Sequence, residues 1–196
     1  MALLPQRLSD GFVELRRCGF VDLESAVDAI HESWSELHHW LVSFQEEVTQ
    51  DSYVRVIDDY VRGFDEDQDW SYFVVDQDDA ALVGVANLYR LSGPERVAIG
   101  YWVRTSRTRR GYASRASRLL VDSAFSCLPM VNIVEIQMDV TNLASVRVAE
   151  KLGFRCVSEI KREIMAPGQS GRGFLWEMDR ATWTSSNPAV PSILAD

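Results

Sequence analysis

The sequence predicts an α+β fold, a mixed sheet with helices packed on it, and three observations carry that expectation. Seven stretches have strand length and either alternate apolar with polar residues or run apolar throughout, whereas four others repeat at helical spacing. Their order is strand, two helices, three strands, helix, strand, helix, two strands, which departs from the regular alternation of a doubly wound fold. The chain has 196 residues, 46% hydrophobic and 25% charged, so it suits one globular domain with a sizeable core.

Residues 12–17 alternate apolar and polar side chains as an opening strand does. Asp22 stands where it can cap a helix with apolar positions at Leu23, Ala26, Val27, Ile30 and Trp34. Thr49 and Ser52 are capping candidates for a second helix, whose apolar face is Tyr53, Val56, Ile57, Tyr60, Val61 and Phe64. The acidic stretch 65–69 reads as a solvated loop. Strands follow over 70–76, 82–91 and 97–103, turned by Asp78-Asp79 and by Gly93-Pro94. An arginine-rich loop then opens a helix over 111–127, and a strand covers 133–140. Asn142 starts a short helix that Gly153 stops after Leu152. Strands over 154–162 and 174–178 close the pattern around a turn at 168–173. The domain is expected over residues 1–183, with a flexible C-terminal tail over 184–196.

Several classes are disfavoured. No run reaches the roughly 18 apolar residues of a membrane helix, and the N-terminus lacks the features of a secretory signal, so a cytoplasmic protein without a membrane partner is expected. Cys18, Cys127 and Cys156 are far apart, which argues against a disulfide framework, and with only His31, His38 and His39 beside them no metal site is expected. The net charge of −9 disfavours nucleic acid and suits a cationic partner. Oligomeric state stays open, with a homodimer among the outcomes.

Chemistry concentrates in two segments. Between Arg104 and Arg118 lie six arginines and no acid, where a strand gives way to a loop through Gly111 and then to a helix. The first turn of a helix offers free N–H groups and the positive end of the dipole, so this is a place for a phosphate. A solvated basic loop is the plainer alternative. In the second segment, 139–154, Asn142 and Ser145 lie three apart at a helix start and can face one crevice; alternatively Asn142 only caps and Ser145 only sits on the surface.

The pairing of Arg109-Arg-Gly-Tyr-Ala113 with Asn142-Leu-Ala-Ser-Val-Arg-Val-Ala-Glu-Lys-Leu-Gly-Phe154 resembles the GNAT superfamily of acyl-CoA-dependent N-acetyltransferases. Ile99-Gly-Tyr-Trp-Val103 and Leu37-His-His-Trp-Leu41 are similar to its RimJ/RimL branch, and the resemblance covers roughly residues 12–180. It implies a twisted, mostly antiparallel sheet of 6–7 strands with splayed central strands and about four flanking helices. It implies acetyl-CoA as co-substrate, held by Trp102, Val103, Arg104, Arg109, Arg110, Gly111, Tyr112, Ala113 and Ser114, with Asn142 on the pantetheine arm. Ser145 is then the acid for the departing thiolate, and a backbone N–H at Tyr101 or Trp102 stabilises the oxyanion.

Two departures from the family pattern matter. The loop usually opens with Gln or Arg and then a residue that is often Gly, where this chain has Thr108 and Arg109. The strand residue that often carries a general-base Glu is Ala98, and the place of an acid-donating Tyr is Ala149; Glu95, Glu135 and Glu177 are the remaining candidates for a base. A site without a strong base favours amines of low pKa, such as an α-amine near 7.7–8.0 against about 10.4 for lysine. The expected acceptor is a small-molecule or peptide primary amine that is cationic: a protein N-terminus or an amino-sugar or antibiotic-like compound. His38, His39, Trp40 and Glu135 are the expected pocket residues. A noncatalytic acyl-CoA-binding regulatory module is the alternative.

Overall fold

The computed structural model describes residues 4–186. Its strands are β1 (Arg7–Ser9), β2 (Val13–Arg17), β3 (Asp69–Asp76), β4 (Leu82–Arg90), β5 (Arg96–Val103), β6 (Ile133–Asp139), β7 (Arg155–Lys161) and β8 (Arg172–Asp179). Its α-helices are α1 (Leu23–Glu32), α2 (Trp34–Trp40), α3 (Gln50–Asp65), α4 (Tyr112–Cys127), α5 (Leu143–Leu152) and α6 (Arg180–Ser186). All eight strands join one sheet in the order β1-β2-β3-β4-β5-β6-β8-β7. Every neighbouring pair is antiparallel except β5 with β6.

The sheet separates two cores. On one face, Val74, Val83, Leu88, Val97, Ile99, Val134 and Ile136 meet α4 residues such as Leu120, Val121 and Ala124. On the other, Phe73, Val75, Val85 and Trp102 meet Ala26, Ile30, Leu37, Tyr53 and Ile57 of α1–α3. Neighbouring residues of β3 and β4 therefore serve opposite cores, which is why these strands are mostly apolar rather than alternating, with Ser71 and Asn87 bonded to each other within them.

The sheet is larger than the 6–7 strands expected, and six α-helices replace about four. β1 is three residues long and forms by pairing with β2, Leu8 opposite Leu15, too short for periodicity to register. The first expected helix is two, α1 and α2, broken at Ser33, whose buried hydroxyl accepts the Thr105 N–H at 3.0 Å. α6 passes Thr184, where the tail was expected to start, and Arg180 ties it down by bonding the Phe125, Leu128 and Val131 carbonyls. The rest of that expected tail lies outside the described residues. α3 begins as expected: Thr49 and Ser52 form a reciprocal capping box.

One irregularity positions everything that follows. β5 and β6 pair only from Arg96 with Ile133 to Ile99 with Ile136. Beyond that point β5 stays with β4 as far as Val103, whereas β6 stays with β8 as far as Asp139 opposite Gly173, so the sheet parts between them.

Candidate active site

A cavity of about 680 Å3 fills the parting of the sheet, a size that suits a cofactor-sized ligand. Its walls are Ile99–Val103 of β5, Ile136–Asp139 of β6, the starts of α4 and α5, and the end of α2. It therefore connects the two faces of the sheet.

The α4 end is built for an anion. Gly111 takes the left-handed φ of 93° and no side chain caps the helix, so the first-turn N–H groups of Tyr112, Ala113 and Ser114 open onto the cavity. Arg109 also adopts a left-handed φ, 62°, at the loop position that is often glycine in the resembling family. Tyr112 is anchored from behind: its hydroxyl donates to the buried Asp76 carboxylate, which also accepts from Arg107 at 3.1 Å.

The arginine cluster is less concentrated than its sequence suggested. Arg104 pairs with Glu32, Arg107 with Asp76 and Asp79, and Arg115 with Asp10 at 2.6 Å. The Ser106 contacts and Arg104 hold the Glu32 carboxyl down at about 2. Arg104, expected at the cofactor, is turned to α1 by this pair and does not line the cavity. Arg110 does not line it either, because the chain reverses between Arg109 and Gly111 and carries that side chain off the wall. Arg109, with no ion pair among the described residues, does line it.

At α5, Asn142 Oδ1 accepts the Ser145 N–H at 3.2 Å, so Asn142 is a cap and its NH2 group remains for the cavity. Ser145 faces the same space. The neighbouring hydroxyl is that of Tyr101, which is buried without a hydrogen-bond partner. Burial pushes the Tyr101 phenol up to about 12, with Ser145 opposing the shift.

The backbone of β5 separates the two oxyanion candidates. Arg104 N–H donates to Val83 at 2.7 Å, and the Trp102 carbonyl abuts Gly84, where an added Cβ would lie 2.1 Å from it. Even-numbered residues here spend their backbone groups on β4. The N–H of Tyr101 consequently faces the parting, and that of Trp102 does not.

On the α2 side, Trp40 lines the cavity but the other expected pocket residues do not. His38 Nδ1 bonds the Phe44 carbonyl at 3.0 Å and its ring stacks on Trp34, which turns it inward. His39 lies outside against the loop at Gly168, whose N–H it receives on its carbonyl. Glu135 is buried beneath the floor, held by Arg96 at 2.6 Å together with Glu177. It accepts Gln137 Nε2 at 3.1 Å, which leaves the Gln137 carbonyl oxygen for the cavity.

The sequence reading missed Glu36, Gln137, Asp139, Arg162 and Gln169, all of which line the cavity. Glu36 stands four residues before Trp40 on the same helix face, a signal that was available. Asp139 is spent: its oxygens accept from Thr141 and from the Ser170 N–H and hydroxyl. Gln169 straps the 162–171 loop to α2 through the Trp40 carbonyl at 3.0 Å. Among the described residues, no group of three or more His, Cys, Asp or Glu could hold a metal, and no helix is long and apolar enough to cross a membrane.

The family model described as Acetyltransferase (GNAT) domain matches residues 13–155. The probable N-acetyltransferase YjcK of Bacillus subtilis (strain 168) is 30% identical over 100 residues, 50% of this chain; the chain spans about half the length of that curated relative, 55%. A RimL ribosomal L7/L12 alpha-N-protein acetyltransferase in complex with coenzyme A has a TM-score of 0.80 at 18% identity, covering 92% of this chain and 99% of that one. Mycobacterium smegmatis RimJ in complex with CoA-disulfide has a TM-score of 0.76 at 20% identity, covering 89% and 86%. At these identities the likeness to the solved structures is one of fold.

Proposed function

The chain belongs to the acetyltransferase (GNAT) family, and on that premise we propose that it is an acetyl-CoA-dependent N-acetyltransferase acting on a primary amine of a cationic acceptor. One observation carries the reading: a single cavity joins an uncapped helix start to a parting of strands, with two neighbouring hydroxyls, Ser145 and Tyr101, between them. The residues present fit coenzyme A. The first-turn amides of α4 and the Arg109 guanidinium suit its pyrophosphate. The Asn142 NH2 group suits the amides of the pantetheine arm, which would run through the parting as an extra strand edge does.

With both substrates bound, the amine nitrogen attacks the thioester carbonyl, a C–N bond forms, and the C–S bond breaks. The Tyr101 N–H donates to the developing oxyanion, and Ser145 gives its proton to the departing thiolate, with Tyr101 beside it. The proton lost by the attacking nitrogen returns through solvent to the serine, so the step neither gains nor loses a proton. Holding the partners in line supplies much of the acceleration. Gln137 offers a neutral oxygen to the amine N–H, not a base, because Ala98 and Ala149 place no acid here. Amines that are partly neutral at pH 7 are thus favoured, whether a protein α-amine or an amino-sugar-like compound. Glu36, an exposed carboxylate with no ion pair among the described residues, favours approach of the cationic form.

Calorimetric titration with acetyl-CoA tests the reading, with one micromolar site per chain as the expected result. No binding at millimolar ligand would sink it. Binding without turnover of any amine, unchanged by Ser145→Ala, would instead establish the noncatalytic acyl-CoA-binding module.

A further inference from the structure

Arg162 is a guanidinium that nothing in the proposed acetyl transfer uses. It follows β7, and its side chain reaches back across β8: a Cβ added at Gly173 would lie 2.5 Å from Arg162 Cδ. The glycine clears a path that brings Arg162 to the cavity wall on the side of Trp40 and Gln137, opposite the α4 end. From the other direction Tyr89 of β4 lies over Gly100 of β5, with its ring 3.7 Å from where a Cβ would stand. Arg162 is the largest charge acting on the Tyr89 hydroxyl, countering the upward push of burial.

No acid answers Arg162. Glu135 and Glu177 beneath it are spent on Arg96, and Asp139 on Thr141 and Ser170. Among the described residues Arg162 has no ion pair, in a chain with 29 acids against 20 bases. A guanidinium presents several donors in a fixed fork, which matches a planar or tetrahedral oxyanion.

We propose that Arg162 binds a carboxylate or phosphate carried by the acceptor, so that the acceptor pairs its cationic amine with an anionic group. The proposal rests on the acetyltransferase reading, because it assigns the half of the cavity opposite the cofactor end to the acceptor.

The test uses matched acceptors, an amine with and without its anion. An acidic tripeptide, Ser-Ala-Glu, is set against Ser-Ala-Gln amide for the carboxylate, and glucosamine 6-phosphate against glucosamine for the phosphate. The expected result is a kcat/KM about tenfold or more higher for the anionic member of at least one pair, the scale of one charge-assisted hydrogen bond. Which pair shows it identifies the anion. Arg162→Gln is expected to abolish that preference through KM, sparing the neutral member and acetyl-CoA affinity, and Arg162→Lys to restore part of it. Gly173→Ala, which displaces the side chain while keeping its charge, is expected to weaken the preference as well. A wild-type protein that binds acetyl-CoA but prefers the neutral members, acetylates neither member of either pair, or keeps its preference in Arg162→Gln overturns the proposal. Failure of the wild type to bind acetyl-CoA would instead fall on the acetyltransferase reading.

Discussion

Replacing Arg109 by glycine should stabilise the protein and weaken its hold on coenzyme A at the same time. Arg109 has a φ of 62°, where an L-residue other than glycine is held at a cost of roughly 1–2 kcal/mol. Glycine removes that cost but loses more backbone entropy on folding, about 0.5–1 kcal/mol. The balance is a gain of about 0.5–1 kcal/mol, which for a chain of this size raises Tm by about 1–4 °C. The side chain is exposed at the cavity wall, so the loss of its charge is that of an exposed ion pair, about 0.2–1 kcal/mol, or up to about fivefold in affinity. The backbone amides of the loop and of α4 remain. Thermal unfolding of the ligand-free protein reads the first effect, and calorimetry with acetyl-CoA at low salt reads the second, which should shrink at 0.5 M salt. A lower Tm in Arg109→Gly would refute the strain argument. An unchanged affinity at low salt would show that the guanidinium does not reach the phosphates.

Other perturbations follow from the same geometry. Gly84→Ala puts a Cβ 2.1 Å from the Trp102 carbonyl oxygen, so β5 must shift; a loss of about 3 kcal/mol or more is expected in urea unfolding, and a stability within 1 kcal/mol of the parent would contradict the close approach. Asn142→Asp should retain the α5 cap while removing the NH2 group offered to pantetheine, whereas Asn142→Ala should lose about 1 kcal/mol as well; equal acetyl-CoA affinity in Asn142→Asp and the parent would reduce Asn142 to a cap. Burial pushes the Asp139 carboxyl up, but bonds from Thr141 and Ser170 outweigh it and lower it below its usual value. A depressed folded value means that the stabilisation is present above the unfolded value near 3.9 and is lost as pH falls through the folded one. The protection factor of the Ser170 N–H, its exchange relative to the intrinsic rate at each pH, should therefore fall on acidification below about pH 4, and Asp139→Asn should remove that pH dependence.

The elements legible in the sequence are those with their own local signal. Thr49 and Ser52 formed the cap their spacing suggests, and Asn142 and Gly153 bounded α5. What escaped was decided by partners remote in sequence. β1 exists because β2 lies beside it, the break between α1 and α2 because Ser33 bonds Thr105, and α6 because Arg180 finds three carbonyls at the end of α4. None of these contacts leaves a periodic trace.

The site divides along a similar line, and charge explains why. An arginine-rich loop before a helix does lead into an uncapped helix start, because Gly111 precedes α4 without a capping side chain. The number of arginines misleads, because a sequence does not reveal which acids will be spent on them: Glu32, Asp10, Asp76 and Asp79 come from α1, a loop, a strand and a turn. The cations that matter are those left over once the fold has paired the rest. Arg109, Arg147 and Arg162 line the cavity with no ion pair among the described residues, and of the three only Arg162 lies outside the two motifs. Exposed pairing is individually worth little, and these guanidiniums lie near solvent, so each is free to exchange water for the anion of a ligand.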